Sequence, residues 1–237
     1  MIRRRMNDMR YEKIVMVTVA CVIVLCFQAA AQDFKEAIGK MRQDYAKLEK
    51  LHVVMTIKAF EDSLSTQPFY SERADVKKDG KNYAYHFGNI QMLMNMKYLI
   101  VVDQNAHEIV VSRRDVKSEE NFLGKDPLKM NMDSLFNLNS EPHYLGKINA
   151  VQRYKITQKK GPIKQVDMQI RTSDNVLHSI AYLYKDGQYV KITFEVFEKQ
   201  PEFKANTFDE SVYITRAKGK LSASQNYIRY NVLEVKN

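Results

Sequence analysis

Cysteine occurs only at positions 21 and 26, so the long remainder of the chain has no thiol. That excludes a disulfide framework, a cysteine nucleophile and thiolate metal ligands there. Tryptophan is absent, and the eight glycines are scattered, all but Gly39 at turn positions, with no glycine-rich phosphate loop. The five histidines are His52, His86, His107, His143 and His178. None has a second His or Cys three to five residues away, so zinc spacing is missing. There is no Gly-x-Ser-x-Gly elbow, no calcium loop and no acid–base pair that spacing alone proposes. The chain reads as non-enzymatic, with no metal and no cofactor.

What is present begins with charge. The 237 residues carry 37 Lys and Arg against 28 Asp and Glu, for a formal charge of +9. The charges fall singly or in pairs, which gives no nucleic-acid-binding stripe. A positive excess does favour acidic surfaces, including anionic lipid headgroups.

Residues 1–13 carry five basic and two acidic side chains, and Ile14–Phe27 is apolar apart from Thr18. The small residues Ala29 and Ala31 follow in the spacing a signal peptidase reads. This is the pattern of a secretory signal peptide over 1–31, with cleavage expected after Ala31 and an exported mature chain. Cleavage would lower the charge from +9 to about +6, since the lost piece carries five basic and two acidic groups. Residues 14–31 are just long enough to remain instead as an uncleaved membrane anchor.

In the mature part, 32–50 has apolar residues at Phe34, Ile38, Met41, Tyr45 and Leu48, close to a 3.6-residue period. Gly39 interrupts this helix and suits a close approach to a sheet. Alternating, β-branched segments then dominate. LHVVMTIKAF (51–60) is a strand, and Asp79-Gly80 turns YSERADVKK into NYAYHF. MKYLIVVD and EIVVSRR form another hairpin, with Met92, Met94 and Met96 at period two before it. DPLKMNMDSLFNL (126–138) breaks the pattern as a short amphipathic helix or lid, with Leu128, Met132, Leu135 and Phe136 along one stripe. Strands resume at INAVQRYKITQK, IKQVDMQIRT and VLHSIAYLYK, and Asp186-Gly187 turns into QYVKITFEVFEK. About ten strands behind one long helix predict an α+β protein that is mainly β: a curved antiparallel sheet covered by the helix and the mid-chain lid.

Aromatic residues concentrate on these strands. Tyr83, Tyr85 and Phe87 share one face, as do Ile180, Tyr182 and Tyr184. On the last major strand Tyr189 and Phe197 take one parity, and Val190, Ile192, Phe194 and Val196 the other. Both faces are thus partly apolar, more than a sheet with a solvated back needs. Either the first helix fills that side as ordinary core, or the sheet wraps an apolar ligand.

The order of these pieces resembles the periplasmic lipoprotein carriers of the LolA/LolB type over about 33–215. The likeness rests on ADVKKDGKNYAYHF, MKYLIVVDQNAHEIVVSRRD and the run from IKQVDMQIRT to FDESV. It implies a half-barrel whose apolar hollow accepts the acyl chains of lipoproteins or another amphiphile, with transient membrane contact. Carried onto this chain, the lipid-binding set is Ile38, Met41, Tyr83, Tyr85, Phe87, Met94, Met168, Ile170, Tyr182 and Tyr184. The lid is Leu128, Met132, Leu135 and Phe136. Where the carriers have an Arg-Pro clasp, this chain has Lys78-Asp79, and lysine lacks the planar fork of arginine. Lys78 is the clasp candidate. An additional hairpin is expected at about 217–237, making 32–237 one domain. The alternative is an envelope sensor or scaffold that uses the same fold, through a sheet edge or that hairpin, to bind a protein partner.

Overall fold

The computed structural model describes residue 34 and residues 36–41, 43–45, 47–114, 140–217 and 219–235. The signal segment and the lid residues Leu128, Met132, Leu135 and Phe136 lie outside the described residues. The architecture is mostly β, as expected: one large curved sheet with a helix against it.

The first half supplies β1 (Lys50–Phe60), β2 (Tyr70–Asp79), β3 (Asn82–Phe87), β4 (Ile90–Met94), β5 (Tyr98–Asp103) and β6 (Glu108–Arg113). The second supplies β7 (Ser140–Ile148), β8 (Val151–Gln158), β9 (Ile163–Arg171), β10 (Val176–Tyr184) and β11 (Tyr189–Lys199). After it come β12 (Ile214–Ala217), β13 (Lys220–Ala223) and β14 (Asn231–Val235). Twelve strands make one sheet in the order β14-β6-β5-β4-β3-β2-β1-β11-β10-β9-β8-β7. Consecutive hairpins build each half, and β1 joins β11 across the middle. Among the described residues all pairings are antiparallel but one, β14 beside β6, which is parallel.

The turns follow local chemistry. Gly80 and Gly187 take positive φ at the two expected Asp-Gly hairpins, where a side chain would be strained. One strand expectation is corrected. INAVQRYKITQK is not a single strand: Asn149 and Ala150, at φ 47 and 62, form a tight turn between β7 and β8. Asn149 tolerates left-handed backbone, but Ala150 disfavours it, so the pair lacks the Asn-Gly signal of such a turn.

The helical residues within 34–45 lay Phe34, Ile38 and Met41 on the second half of the sheet. They pack with Tyr154, Ile156, Val166, Met168, Ile170, Leu177 and Ile180 in one buried cluster. Phe34 and Tyr154 meet with ring centroids 4.9 Å apart. Gly39 is not a close-approach site: a Cβ built there meets nothing within 4 Å.

A second core lies on the opposite face of the first half. Leu93, Ile100, Val102, Ile109 and Val111 are buried there beneath Ile214 and Leu221, with Phe208, Tyr213, Tyr227 and Tyr230 packed around them. The chain after β11 therefore returns as a cover. The additional C-terminal feature differs from the expected hairpin at 217–237: β12 and β13 pair at 214–223, and β14 joins the large sheet.

Candidate functional site

Strand pairing assembles one apolar row across the helix-bearing face. Phe197 (β11) lies opposite Val53 (β1), which lies opposite Val76 (β2). Val76 pairs with Tyr85 (β3), Tyr85 with Met92 (β4) and Met92 with Val101 (β5). Val101 pairs with Val110 (β6), and Val110 with Leu233 (β14). Eight strands thus contribute one apolar side chain each, and cross-strand neighbours at this spacing touch. Val53 is 2% exposed, Val76 5% and Leu233 47%. The row runs from closed core at β1 to open surface at the β14 edge.

A β-bulge sets the near end of this row. Met55 pairs with Phe194 and Val54 with Val196, which leaves Glu195 as an extra residue. The parity read from sequence therefore breaks at Glu195. Phe194 and Phe197 pack into the same cluster, with Leu51, Val53, Val76, Met55 and Tyr85, although three positions separate them. Tyr45 from the helical segment stacks on Phe197 at 5.0 Å. The Tyr45 hydroxyl accepts the Leu177 N–H at 3.1 Å, and burial pushes its pKa up to about 12. Burial does the same to Tyr182, also to about 12.

The sequence-derived residues separate into two groups. Ile38 and Met41 of the helix are buried together with Met168 and Ile170 of the sheet, with Tyr182 against them. Tyr83 and Met94 face each other on β3 and β4 and are also buried. Tyr85 is partly buried, and its ring lies parallel to Tyr83 at 6.0 Å. Phe87 is 39% exposed, and Tyr184 is half-buried at the end of β10. Lys78 shares the face of Leu51 and Tyr83. Its Nζ donates to the Leu48 carbonyl at 3.0 Å, tying the chain between helix and β1 to the sheet.

Sequence reasoning missed Val53, Val76, Val101, Val110, Leu233 and the phenylalanines brought together by the bulge. The alternation of HVVMTIKAF and YLIVVD contained part of the signal. What it lacked was register, since the row exists only once strands distant in sequence are aligned.

The opposite face over β1, β2 and β11 carries a polar cluster. His52 Nδ1 lies 3.0 Å from Glu198 Oε2 and Nε2 lies 3.1 Å from Asp75 Oδ1. Among the described residues no group of three or more His, Asp or Glu is placed to hold a metal ion.

No family model and no curated protein matches the chain. Among solved structures it is similar to an uncharacterized conserved protein from Thermus thermophilus. That TM-score is 0.44 at 10% identity, over 87% of this chain and 99% of the other. It is similar to a putative outer membrane lipoprotein-sorting protein domain from Vibrio parahaemolyticus, with TM-score 0.33 and 8% identity over 75% and 96% of the two chains. It is also similar to MucB, with TM-score 0.41 and 7% identity over 81% and 66%.

Proposed function

We propose that the chain is an exported, non-catalytic carrier or chaperone that holds the acyl chains of lipoproteins, or another amphiphile, on its helix-bearing face. The observation behind this reading is the apolar row from Phe197 to Leu233, which continues past the part of the sheet closed by the helix. A fatty chain laid along such a row gains about 0.8 kcal/mol per buried CH₂. Release requires that the row not be closed by its own packing. Tyr85, Met92, Val101 and Val110 meet that condition, being only partly buried. Ile38, Met41, Met168 and Ile170, from the same expected lipid-binding set, are buried in the core beside the row. The positive excess of the chain suits brief contact with anionic lipid during exchange.

Solvent extraction and native mass spectrometry of protein purified without detergent test this reading. The wild type carries lipid, and Tyr85→Glu or Phe87→Glu loses it while remaining folded. A wild type free of any bound lipid ends the proposal.

One observation favours a second reading, a module that binds a protein partner. The β1–β2 loop holds Leu64 at 89% and Phe69 at 59% exposure. Asp62 Oδ1 accepts the N–H groups of Leu64 and Ser65 at 2.8 and 2.7 Å, so the loop is organised with Leu64 outward. In that case Leu64→Ser removes a cross-linked partner and leaves bound lipid unchanged.

A further inference from the structure

The two edges of the large sheet are built differently. β7 carries Pro142, an irregular register between Tyr144 and Lys147, and Gly146 at φ 97. Proline, bulges and edge lysines are the devices that stop a strand from pairing with another chain. β14, with sequence NVLEV, has none of them. Leu233 and Val235 are each 47% exposed on it.

The hydrogen bonding of β14 is specific enough to name what fits. Asn231 N–H donates to the His107 carbonyl at 3.0 Å, towards β6. Peptide groups alternate along a strand. Residues 231, 233 and 235 therefore turn theirs to β6, and Val232 and Glu234 turn theirs outward. An identical β14 running antiparallel about a two-fold axis at Leu233 places Val232 opposite Glu234 of the copy, with both outward peptides exchanging bonds. Leu233 then faces itself as a non-hydrogen-bonded pair, where Cα atoms lie about 4.5 Å apart. The one charged residue of the strand, Glu234, is already paired with Arg216 at 3.1 Å and falls opposite Val232, so like charges are not set face to face. The apolar row also continues, from Val110 and Leu233 of one copy into Leu233 and Val110 of the next.

We propose that the partner of this edge is a second copy of the chain, joined β14 to β14 as an isologous dimer with Leu233 on the axis. The inference does not depend on lipid carriage. The test uses the full-length chain with Cys21→Ser and Cys26→Ser. Into it Leu233→Cys or, on the opposite edge, Ile148→Cys is introduced. Under mild oxidation Leu233→Cys gives a disulfide-linked dimer in high yield and Ile148→Cys does not. Sedimentation equilibrium of the wild type shows a concentration-dependent dimer. Leu233→Lys abolishes that dimer while its circular dichroism stays unchanged, and its melting transition loses the concentration dependence of the wild type. A monomer at every concentration, equal cross-linking at both edges, or a dimer that persists in Leu233→Lys overturns the proposal. The last two outcomes would assign the contact to chance collision or to another surface.

Discussion

Asn95 and Glu210, separated by 115 positions, are joined by a hydrogen bond from Asn95 Nδ2 to Glu210 Oε2 at 2.7 Å. Asn95 is 5% exposed. Its Oδ1 accepts the N–H groups of Lys97 and Tyr98, each at 2.9 Å, and its Nδ2 also donates to the Phe208 carbonyl at 3.2 Å. One side chain thus shapes the β4–β5 turn and fastens the returning C-terminal cover to it. Removing it takes a hydrogen-bond partner from the half-buried Tyr98, Phe208 and Glu210, which costs on the order of 1 kcal/mol or more. Asn95→Ala should therefore lower the urea midpoint and expose 201–235 to limited proteolysis. An unchanged cleavage pattern would show that the cover is held by its apolar contacts alone.

Gly39 stands in a helix with open space where a Cβ would sit. Gly39→Ala should stabilise the chain by up to about 1 kcal/mol, the difference in helix propensity. Ala150 presents the reverse case, at φ 62 in a two-residue turn. Left-handed backbone costs alanine about 1–2 kcal/mol, so Ala150→Gly should also stabilise, less the extra freedom of glycine in the unfolded chain. Thermal melts of both variants check the two signs.

Core and row should respond differently to substitution. Met168 is fully buried beside Tyr154 and Ile180. Met168→Ala should cost about 2–5 kcal/mol through lost burial and the cavity left behind. Phe87, at the exposed end of β3, should tolerate Phe87→Ser with under about 1 kcal/mol lost. Lipid retention should follow the opposite order, with Phe87→Ser losing cargo and folded Met168→Ala keeping it.

Burial raises the Tyr182 pKa to about 12, against 10.0 for the free side chain. The folded state thus holds this proton more tightly than the unfolded state. Its contribution to stability is complete below pH 10, falls between pH 10 and about 12, and is gone above that. Tyr182→Phe should flatten the alkaline limb of a stability-against-pH curve. A limb of unchanged slope would mean that the decline belongs to other tyrosines.

Much of the architecture follows from local pattern. The period of Phe34, Ile38 and Met41 marks the helix, alternation marks the strands, and Asp79-Gly80 and Asp186-Gly187 mark their turns. These signals are readable because each lies within a few consecutive residues. The turn at Asn149-Ala150 escaped such reading because its conformation is imposed by the pairing of β7 with β8 against alanine's own preference. The candidate site was legible only in part: Tyr83, Tyr85 and Phe87 could be placed on one face, but not opposite Met94, Met92 and Ile90.

By itself, the sequence determined that this is a thiol-poor, mainly β chain with one amphipathic helix and an excess of apolar and aromatic strand positions. Tertiary structure decided which of those positions meet. It buried Met168 and Ile170 under the helix, and used one extra residue at Glu195 to bring Phe194 and Phe197 together. It also turned the C-terminal segment back over the opposite face. The physical reason is that side-chain direction in a strand is a local property with period two, whereas register, bulges and the choice of cover depend on contacts between residues far apart in the chain.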